Sequence, residues 1–269
     1  MVTATAMAMA TAMDKSMKNN TFLWALTDLH AHILPNIDDG AKDLETALEM
    51  LRLQKNSGVQ RVMLTPHFYL QEETEQAFLE RREQAYQKLL SRWQEESMPE
   101  LAVGAEVRYT PELINADLRS LTLGQSNYLL LELPNMEVPA YLEQITVEML
   151  RQGITPILAH IERCVYFRIE PERLKKLIEL GALAQVTARA VNHKSDQHFA
   201  MACLENGLAH IIASDLHIPS EEQCLGNGIQ KIEDDLMQRA EEFALSIWKN
   251  QRPPAFSIGS VKKGLFGYR

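Results

Sequence analysis

The chain has 269 residues, of which 46% are hydrophobic and 23% charged, and its formal net charge is −9. These values exclude a collagen-like, disulfide-rich or mostly disordered protein, and the length suffices for one large α/β domain or two small ones. No apolar run of about 18 residues predicts a membrane-spanning helix, and the acidic balance gives no reason to expect nucleic-acid binding or membrane insertion.

The first twenty residues form a segment rich in Met, Ala and Thr. Its small residues superficially suggest an export signal, but the first basic residue is Lys15, so the positively charged start of a secretory signal is absent. We expect residues 1–20 to be a disordered extension, or a misplaced start that precedes the true one at Met13 or Met17.

Apolar runs alternate with amphipathic segments from residue 21 onward. Seven runs predict strands, at 21–29, 59–65, 101–107, 128–133, 154–159, 182–186 and 208–213. Helical patterns occupy the segment from Leu44 to the Ser57-Gly58 pair and residues 71–96, 139–152, 171–180 and 195–206. This alternation predicts a parallel sheet in one barrel-like α/β domain over residues 21–252, with 253–269 as a peripheral tail.

Polar side chains stand at the carboxyl ends of five predicted strands. The motifs are Asp28-Leu29-His30-Ala31-His32, Thr65-Pro66-His67, Gly104-Ala105-Glu106, Ala159-His160-Ile161-Glu162-Arg163 and Ser214-Asp215-Leu216-His217. In a barrel these ends meet at one shared mouth, and His30 and His32, two residues apart on an extended strand, point to the same side. Imidazole and carboxylate together suit divalent ions of the Mn, Fe and Zn kind, and so many candidate ligands indicate two or three ions.

Two acidic residues follow the first strand, just before Gly40. The glycine permits a tight turn that could bring Asp38 or Asp39 to the mouth, and the sequence leaves open which one. The remaining histidines are expected in structural or surface positions; they are His193, His198 and His210.

The cysteines are Cys164, Cys203 and Cys224, and their odd number and spacing predict free thiols in a reducing cytoplasm rather than a disulfide framework or a zinc finger. Arg168 follows Cys164 too early for the motif of cysteine phosphatases, and no glycine lies between them. A cysteine nucleophile is therefore not expected.

The blocks DLHAH, IDDGAKDLETALEM, TPHFY, GAEVRYTPEL, AHIER and ASDLH resemble the PHP (polymerase and histidinol phosphatase) superfamily. Within it, the likeness is to the CpsB/YwqE-like manganese-dependent protein-tyrosine phosphatases of bacterial capsule and exopolysaccharide clusters, and it extends over about residues 24–250. The DDG and AHIER blocks are the specific part, whereas HxH and SDLH are shared more widely. The resemblance implies a distorted (β/α)7 TIM-like barrel, the PHP fold, with a trinuclear metal site.

Position by position, the resemblance implies a set of metal ligands and one phosphate-binding residue. The ligands would be His30, His32, Asp39, His67, Glu106, His160, Asp215 and His217. Glu106 would bridge two ions, manganese is the metal that the resemblance favours, and iron or zinc would suit the same ligands. Arg163 would contact the substrate phosphate. The site chemistry then predicts that a metal-activated hydroxide attacks phosphorus, and that Asp215 or His217 supplies a proton to the leaving oxygen if metal does not fully engage it.

Two departures from the family pattern reduce the positive charge expected at the mouth. Phe68 and Tyr69 follow His67 where family members often carry basic residues, and residues 218–222, after the last motif, contain no basic residue. Phe68, Tyr69 and Tyr109 could form an apolar wall for a substrate ring, or could be ordinary core and surface aromatics.

Three functions remain open on the sequence alone. The first is a phosphotyrosine-protein phosphatase whose substrate, as the resemblance implies, is an autophosphorylating bacterial tyrosine kinase that controls polysaccharide export. The second is a small-molecule phosphoesterase such as histidinol-phosphate phosphatase, and the third is a non-catalytic, metal-stabilised binding module. The DDG and AHIER blocks favour the first function, and the complete set of ligand types argues against the third.

Overall fold

Short parallel strands alternate with helices through the described part of the chain. The computed structural model describes residues 25–93, 98–230, 232–264 and 267–268. The predicted extension at 1–20, with its alternative starts at Met13 and Met17, lies outside these ranges. Residues 21–24 of the first predicted strand and residues 94–96 of the long predicted helix also lie outside them.

The described strands form two parallel sheets and one short antiparallel pair. They are β1 (Leu26–Ala31), β2 (Val59–Leu64), β3 (His67–Phe68), β4 (Glu100–Val103), β5 (Glu106–Arg108), β6 (Tyr128–Glu132), β7 (Thr155–Leu158), β8 (Leu183–Thr187), β9 (Ile211–Ala213), β10 (Lys263–Gly264) and β11 (Gly267–Tyr268). The parallel sheets have the orders β1-β2-β4 and β3-β5-β6-β7-β8-β9, and β10 pairs with β11. Parallel pairing in chain order confirms the predicted mixed α/β domain.

One predicted strand is interrupted, and one short strand was not predicted. The run at 101–107 divides into β4 and β5, and β3 is separated from β2 by a break that contains Pro66. Pro66 has no N–H to donate to a sheet, but its carbonyl oxygen accepts the N–H of Glu106 at 3.0 Å. Beyond the break, His67 and Glu106 lie opposite each other in the register of β3 and β5.

The first strand lies beside the segment that follows the last strand of the parallel sheets. Ala31 and Leu216 form an isolated parallel bridge. The N–H of His32 donates to the Leu216 carbonyl oxygen at 2.9 Å, and the N–H of Asp215 donates to the His30 carbonyl oxygen at 2.9 Å. Residues far apart in the sequence of the domain are therefore in main-chain contact.

The helices of the described ranges confirm all the predicted ones and add others. They are α1 (Leu44–Asn56), α2 (Glu75–Leu90), α3 (Leu142–Arg151), α4 (Val165–Ile169), α5 (Pro171–Leu180), α6 (Gln197–Glu205), α7 (Leu225–Gly228) and α8 (Asp234–Trp248). Helix α2 begins later than the predicted start at residue 71, because the Thr74 hydroxyl caps its first turn by accepting the Ala77 N–H. No helix in the described ranges combines the length and the hydrophobicity that crossing a bilayer requires.

Both faces of four parallel strands are buried along their whole length, namely β1, β6, β8 and β9. On β6, Leu129 and Leu131 join the large core that includes the helices, whereas Leu130 belongs to a second, smaller cluster. Phe243 and Ile247 of α8 complete this second cluster, although α8 was not among the predicted helices. Burial on both faces explains why most residues of these strands are apolar.

The carboxyl-terminal segment packs against the domain rather than standing apart from it. The Phe256 ring meets the His210 ring edge-on, with 4.3 Å between centroids, and Val261 is buried. The Tyr268 ring lies 5.0 Å from that of Phe199. The predicted tail therefore covers apolar surface of the domain.

Glu241 on α8 is a buried carboxylate away from the carboxyl ends of the strands. It accepts hydrogen bonds from the Thr27 N–H at 2.8 Å and the Thr27 hydroxyl at 2.7 Å, and Arg61 Nη1 lies 4.0 Å away. Burial raises the pKa of Glu241 to about 7, against the lowering effect of the bonds from Thr27. Because this folded-state pKa exceeds the unfolded value of 4.5, protonation stabilises the fold below pH 4.5, and that stabilisation is lost as pH rises through about 7.

We expect Glu241→Gln to remove this pH dependence, because the amide is neutral at every pH and its oxygen can still accept from Thr27. Relative to the variant, the wild-type free energy of unfolding should fall by up to ~3 kcal/mol between about pH 4.5 and about pH 8. Chemical denaturation of both proteins across this range isolates Glu241, since the other groups titrate alike in both. Parallel stability curves would contradict the prediction.

Candidate metal centre at the strand ends

Five histidines that the sequence places at strand ends lie together in the fold. His30 and His32 come from the end of β1, His67 opens β3, His160 follows β7 and His217 follows β9. The Nε2 atoms of His30 and His32 are 3.1 Å apart. The ring centroid of His32 lies 3.9 Å from that of His217 and 4.5 Å from that of His67, and His30 lies 5.8 Å from His160 by the same measure.

Glu106, the first residue of β5, is fully buried among these rings. Its Oε2 lies 3.4 Å from His30 Nε2, 3.3 Å from His32 Nε2 and 2.9 Å from His67 Nδ1. Its Oε1 lies 2.9 Å from His160 Nε2. Burial alone would raise the pKa of Glu106, but the charge of His30 and the hydrogen bond from His160 hold that pKa well below its usual range.

Asp215, which is far from His30 and His32 in the sequence, lies against the same rings. Its Oδ1 lies 3.2 Å from His30 Nε2 and 3.5 Å from His32 Nε2, and its Oδ2 accepts a hydrogen bond from Arg163 Nη2. Burial would raise the pKa of Asp215, but the charges of His30 and Arg163 lower it below its usual range. The Arg163 side chain is 43% exposed, so it links the buried cluster to the solvent.

Several buried polar atoms of this cluster make no hydrogen bond with any residue that the structure describes. They are Glu106 Oε2, Asp215 Oδ1, His67 Nδ1 and His160 Nδ1. Buried polar atoms are nearly always paired, so the unpaired atoms of Glu106, Asp215 and His67, which lie close to His30 or to one another, indicate a ligand that would satisfy them. A mixed set of imidazole and carboxylate donors fits divalent ions such as manganese, iron or zinc.

Six of the eight ligands that the resemblance implies fall, together with Glu132, into three groups, within each of which all donor atoms lie within 4.8 Å of one another; His160 and Asp215 belong to none of the three. The groups are His32, Asp39, His67 and His217; His30, His32 and Glu106; and His67, Glu106 and Glu132. Because the groups share members, one connected cluster could hold more than one ion.

The two aspartates that the sequence leaves as alternatives have different neighbours. Asp38 Oδ2 lies 2.8 Å from Nδ1 of His32, the ring nitrogen that does not face Glu106. Asp39 Oδ1 lies 3.4 Å from Nε2 of both His67 and His217. Asp38 is therefore placed to orient His32, and Asp39 is placed to share an ion with the other two histidines.

Gln185, in the middle of β8, fixes the orientation of the innermost histidine. Its Oε1 lies 3.2 Å from His30 Nδ1 and accepts the His160 N–H at 3.1 Å. This contact leaves Nε2 of His30 facing the carboxylates. The backbone is unusual at the same place, since His160 and Asp215 have φ values of 30° and 54°. Left-handed conformations of such residues concentrate at functional sites.

Sequence and fold both match proteins of one known family. The family described as capsular polysaccharide synthesis, CpsB/CapC, matches residues 26–241. The chain belongs to the CpsB/CapC family. Tyrosine-protein phosphatase YwqE of Bacillus subtilis (strain 168) is 33% identical over 203 residues, which cover 71% of this chain and 77% of YwqE. Tyrosine-protein phosphatase CpsB of Streptococcus pneumoniae is 29% identical over 210 residues, which cover 71% of this chain and 83% of CpsB.

A solved structure agrees with this family. It comes from the crystal structures of YwqE from Bacillus subtilis and CpsB from Streptococcus pneumoniae, which are described as metal-dependent tyrosine phosphatases. Its TM-score with this chain is 0.77 at 29% identity, and the match covers 88% of this chain and 100% of that one. The CpsB/CapC chain therefore shares its fold as well as its sequence with these enzymes.

Glu132 belongs to the cluster of this CpsB/CapC protein but was not singled out from the sequence. It ends β6, and its Oε2 lies 3.9 Å from His67 Nδ1, while its Oε1 lies 2.8 Å from Arg108 Nη1. The Oε2 atom is buried and makes no hydrogen bond within the described ranges. The available signal was a carboxylate at the end of an otherwise apolar strand.

Of the two alternatives that the sequence leaves open for Phe68, the structure supports a core aromatic rather than part of a wall for a substrate ring. That side chain is fully buried, and its ring lies 4.9 Å from that of Phe78 in the core. Tyr109 is also buried. Tyr69 is partly exposed, and its ring stacks on His67 with 5.6 Å between centroids. Of the three aromatics, Tyr69 alone presents its ring beside the histidine cluster of this CpsB/CapC chain.

The cysteines and the three remaining histidines of the CpsB/CapC chain lie outside the cluster. Burial raises the pKa of the Cys164 thiol to about 12, so it lacks the thiolate character that a nucleophile needs. His193 and His198 are exposed. Burial lowers the pKa of His210 to about 3, and its Nδ1 accepts the Ala184 N–H at 3.2 Å, as expected for a neutral structural histidine.

Proposed function

We propose that this chain is a metal-dependent phosphotyrosine-protein phosphatase, a phosphoric monoester hydrolase linked to capsule or exopolysaccharide regulation. The observation that carries the proposal is the set of buried, unpaired imidazole and carboxylate atoms around Glu106, close to the guanidinium of Arg163. Such atoms suit ions that bind a phosphate ester, and a guanidinium suits its free oxygens. The names of the relatives support phosphotyrosine as the substrate.

The proposed ligands come from six separate places in the chain. They are His30, His32, Asp39, His67, Glu106, His160, Asp215 and His217. Glu106 is the best placed to bridge two ions, because Oε2 faces His30 and His32 while Oε1 faces His160. We propose two or three ions, with manganese as the resident metal and iron or zinc as alternatives.

We also propose that the parallel strands close into the distorted (β/α)7 barrel of the PHP fold, in a domain over residues 21–252 with a tail from 253 to 269. The main-chain contact of Ala31 with Leu216 supports this closure. The substrate would be a phosphotyrosine protein of the cytoplasm, and the candidate partner is an autophosphorylating bacterial tyrosine kinase.

When bound, the ions would stabilise negative charge on the phosphoryl group and lower the pKa of a coordinated water so that it can attack phosphorus. Arg163 would donate its planar N–H groups to two phosphate oxygens and align the ester for attack. Asp215 or His217 would supply a proton to the phenolic oxygen of the leaving tyrosine where metal coordination leaves that group free. The His217 side chain is 25% exposed and that of Asp215 is 2% exposed.

Because Asp38 and Asp39 have different neighbours, we expect their substitutions to differ in their effects on the number of bound ions and on activity. Asp39→Asn is expected to lower the number of bound ions by one, because it removes a charged donor from the group with His67 and His217. Asp38→Asn should keep the ion count and lower activity by about tenfold to a hundredfold, as expected for a residue that orients a ligand. Elemental analysis beside initial rates measures both. An ion lost from the Asp38 variant but kept in the Asp39 variant would reverse the assignment.

The function is tested by the hydrolysis of three substrates by metal-stripped protein, with and without added Mn²⁺. The substrates are a phosphotyrosine peptide, a phosphoserine peptide and histidinol phosphate. We expect Mn²⁺-dependent turnover of the phosphotyrosine peptide alone, and its loss in His30→Ala. Preference for histidinol phosphate would identify a small-molecule phosphoesterase. Metal binding without turnover of any substrate would overturn the proposed enzyme in favour of a binding module.

A further inference from the structure

A second arginine faces the mouth of the candidate centre from an element that none of the motifs includes. Arg189 lies just after β8 and lines a cavity of about 230 Å³ together with Arg163, Asp215 and His217. Gln223 also lines this cavity. The sequence motifs did not reveal Arg189, because it follows a strand whose end carries no histidine or carboxylate.

The guanidinium of Arg189 is available for a ligand. The residue is exposed, and within the described ranges its side chain makes no hydrogen bond and no ion pair. Other arginines of this region are engaged: Arg163 donates to Asp215, Arg108 pairs with Glu132 at 2.8 Å, and Arg168 donates to the Ser195 carbonyl oxygen at 2.7 Å. Arg189 thus differs from its neighbours in having its cationic group unused.

The backbone that carries Arg189 is held firmly in place. The N–H of Ala188 donates to the Ala213 carbonyl oxygen at 2.8 Å, which ties the end of β8 to β9. The N–H of Ala190 donates to the Thr187 carbonyl oxygen at 3.0 Å, and the Thr187 hydroxyl donates to Glu162 at 2.6 Å. A side chain on such a turn starts from a fixed position, so less conformational entropy is lost when it binds.

The charges that line this cavity favour a second cationic side chain as a partner for the phosphate. A phosphate monoester is a dianion near neutral pH, whereas Asp215 lines this cavity as a carboxylate and already accepts a bond from Arg163. Within the described ranges, Arg163 and Arg189 are the arginines that line it. Guanidinium groups bind phosphate oxygens through two parallel N–H donors, and paired arginines can hold opposite oxygens of one phosphoryl group.

We propose that Arg189 is a substrate-binding residue that donates hydrogen bonds to the phosphate of the phosphotyrosine, alongside Arg163. The inference rests on the proposed function. Arg189 also borders a larger groove of about 760 Å³, with Asn192, Glu221 and Gln223 among its lining residues. The phosphate would occupy the smaller cavity, and the chain that flanks the phosphotyrosine would leave it along this groove.

The test compares Arg189→Ala and Arg189→Lys with wild type in the Mn²⁺-loaded protein. The substrate is p-nitrophenyl phosphate, which has a phosphate and a ring but no flanking peptide. We expect KM for this substrate, and the inhibition constant of inorganic phosphate, to rise about tenfold to a hundredfold in Arg189→Ala. Arg189→Lys should recover part of the loss. Arg151→Ala, which removes a 75% exposed arginine from α3, is the matched control and should behave as wild type.

Unchanged values of both constants in Arg189→Ala would overturn the inference. A rise in KM restricted to phosphotyrosine peptides would also overturn it, because Arg189 would then contact the flanking chain and not the phosphate. Binding of inorganic phosphate to the Mn²⁺-loaded proteins, measured by calorimetry, is independent of turnover. If wild type hydrolyses no phosphate ester, the proposed function fails, and the calorimetric comparison of wild type with Arg189→Ala still decides the role of Arg189.

Discussion

Replacing Glu106 by Gln is expected to lower kcat/KM for a phosphotyrosine peptide by about a thousandfold. Glu106 places its two oxygens against four imidazoles, and those of His30 and His32 face the same oxygen. The amide keeps the size of the side chain but removes the negative charge and one acceptor, so cations at this place lose their central ligand. Steady-state kinetics together with elemental analysis should show fewer ions per chain.

Glu241→Gln is the matched control for this variant. It makes the same substitution at another buried glutamate, which contacts Thr27 and is not part of the histidine cluster. It should retain wild-type ion content and activity. A Glu106→Gln protein with full ion content and full activity would refute the central role that we give to Glu106.

Arg163→Lys is expected to reduce kcat/KM by about a hundredfold while leaving the bound ions in place. Lysine keeps the charge but cannot offer two parallel N–H donors to phosphate oxygens. Its ammonium can still neutralise Asp215, whose Oδ2 accepts from Arg163, so the fold should be preserved. Kinetics and thermal unfolding of the same preparation would separate these effects.

Arg168→Lys makes the same substitution at an arginine that pairs with Asp196 at 2.9 Å, outside the cluster. It should leave kcat/KM unchanged. Equal activity of Arg163→Lys and wild type would show that Arg163 does not bind phosphate through its planar geometry, and a loss of ions in that variant would show that it acts through Asp215 instead.

Hydrophobic patterning predicts the strands of this protein well because they are buried on both faces. An apolar run such as that ending at Leu133 is predicted as a buried strand rather than as another element when helices flank it on both sides. The same pattern does not predict the short strand β3 beyond Pro66, because its pairing with β5 joins residues far apart in the chain. Helix α8 was missed although its buried residues Ala240, Phe243 and Ile247 recur at helical spacing.

The residues of the candidate centre could likewise be predicted from the sequence only in part. Histidines and carboxylates at strand ends are visible in the sequence because parallel strands direct their carboxyl ends to one side. Gln185 and Arg189 are ordinary residues until the fold places them beside His30 and Arg163. Adjacent residues such as Asp38 and Asp39 cannot be distinguished by spacing, because only the turn decides which one faces inward.

The bridge between Ala31 and Leu216 joins the beginning of the domain to a point near its end, through few main-chain hydrogen bonds. Candidate ligands flank this junction on both sides, with His30 and His32 on one and Asp215 on the other. A cation shared between them would be a cross-link that closes a loop of nearly the whole domain, and such cross-links remove the most entropy from an unfolded chain. Catalysis and the stability of the fold would then depend on the same few bonds, so loss of the cation would weaken both.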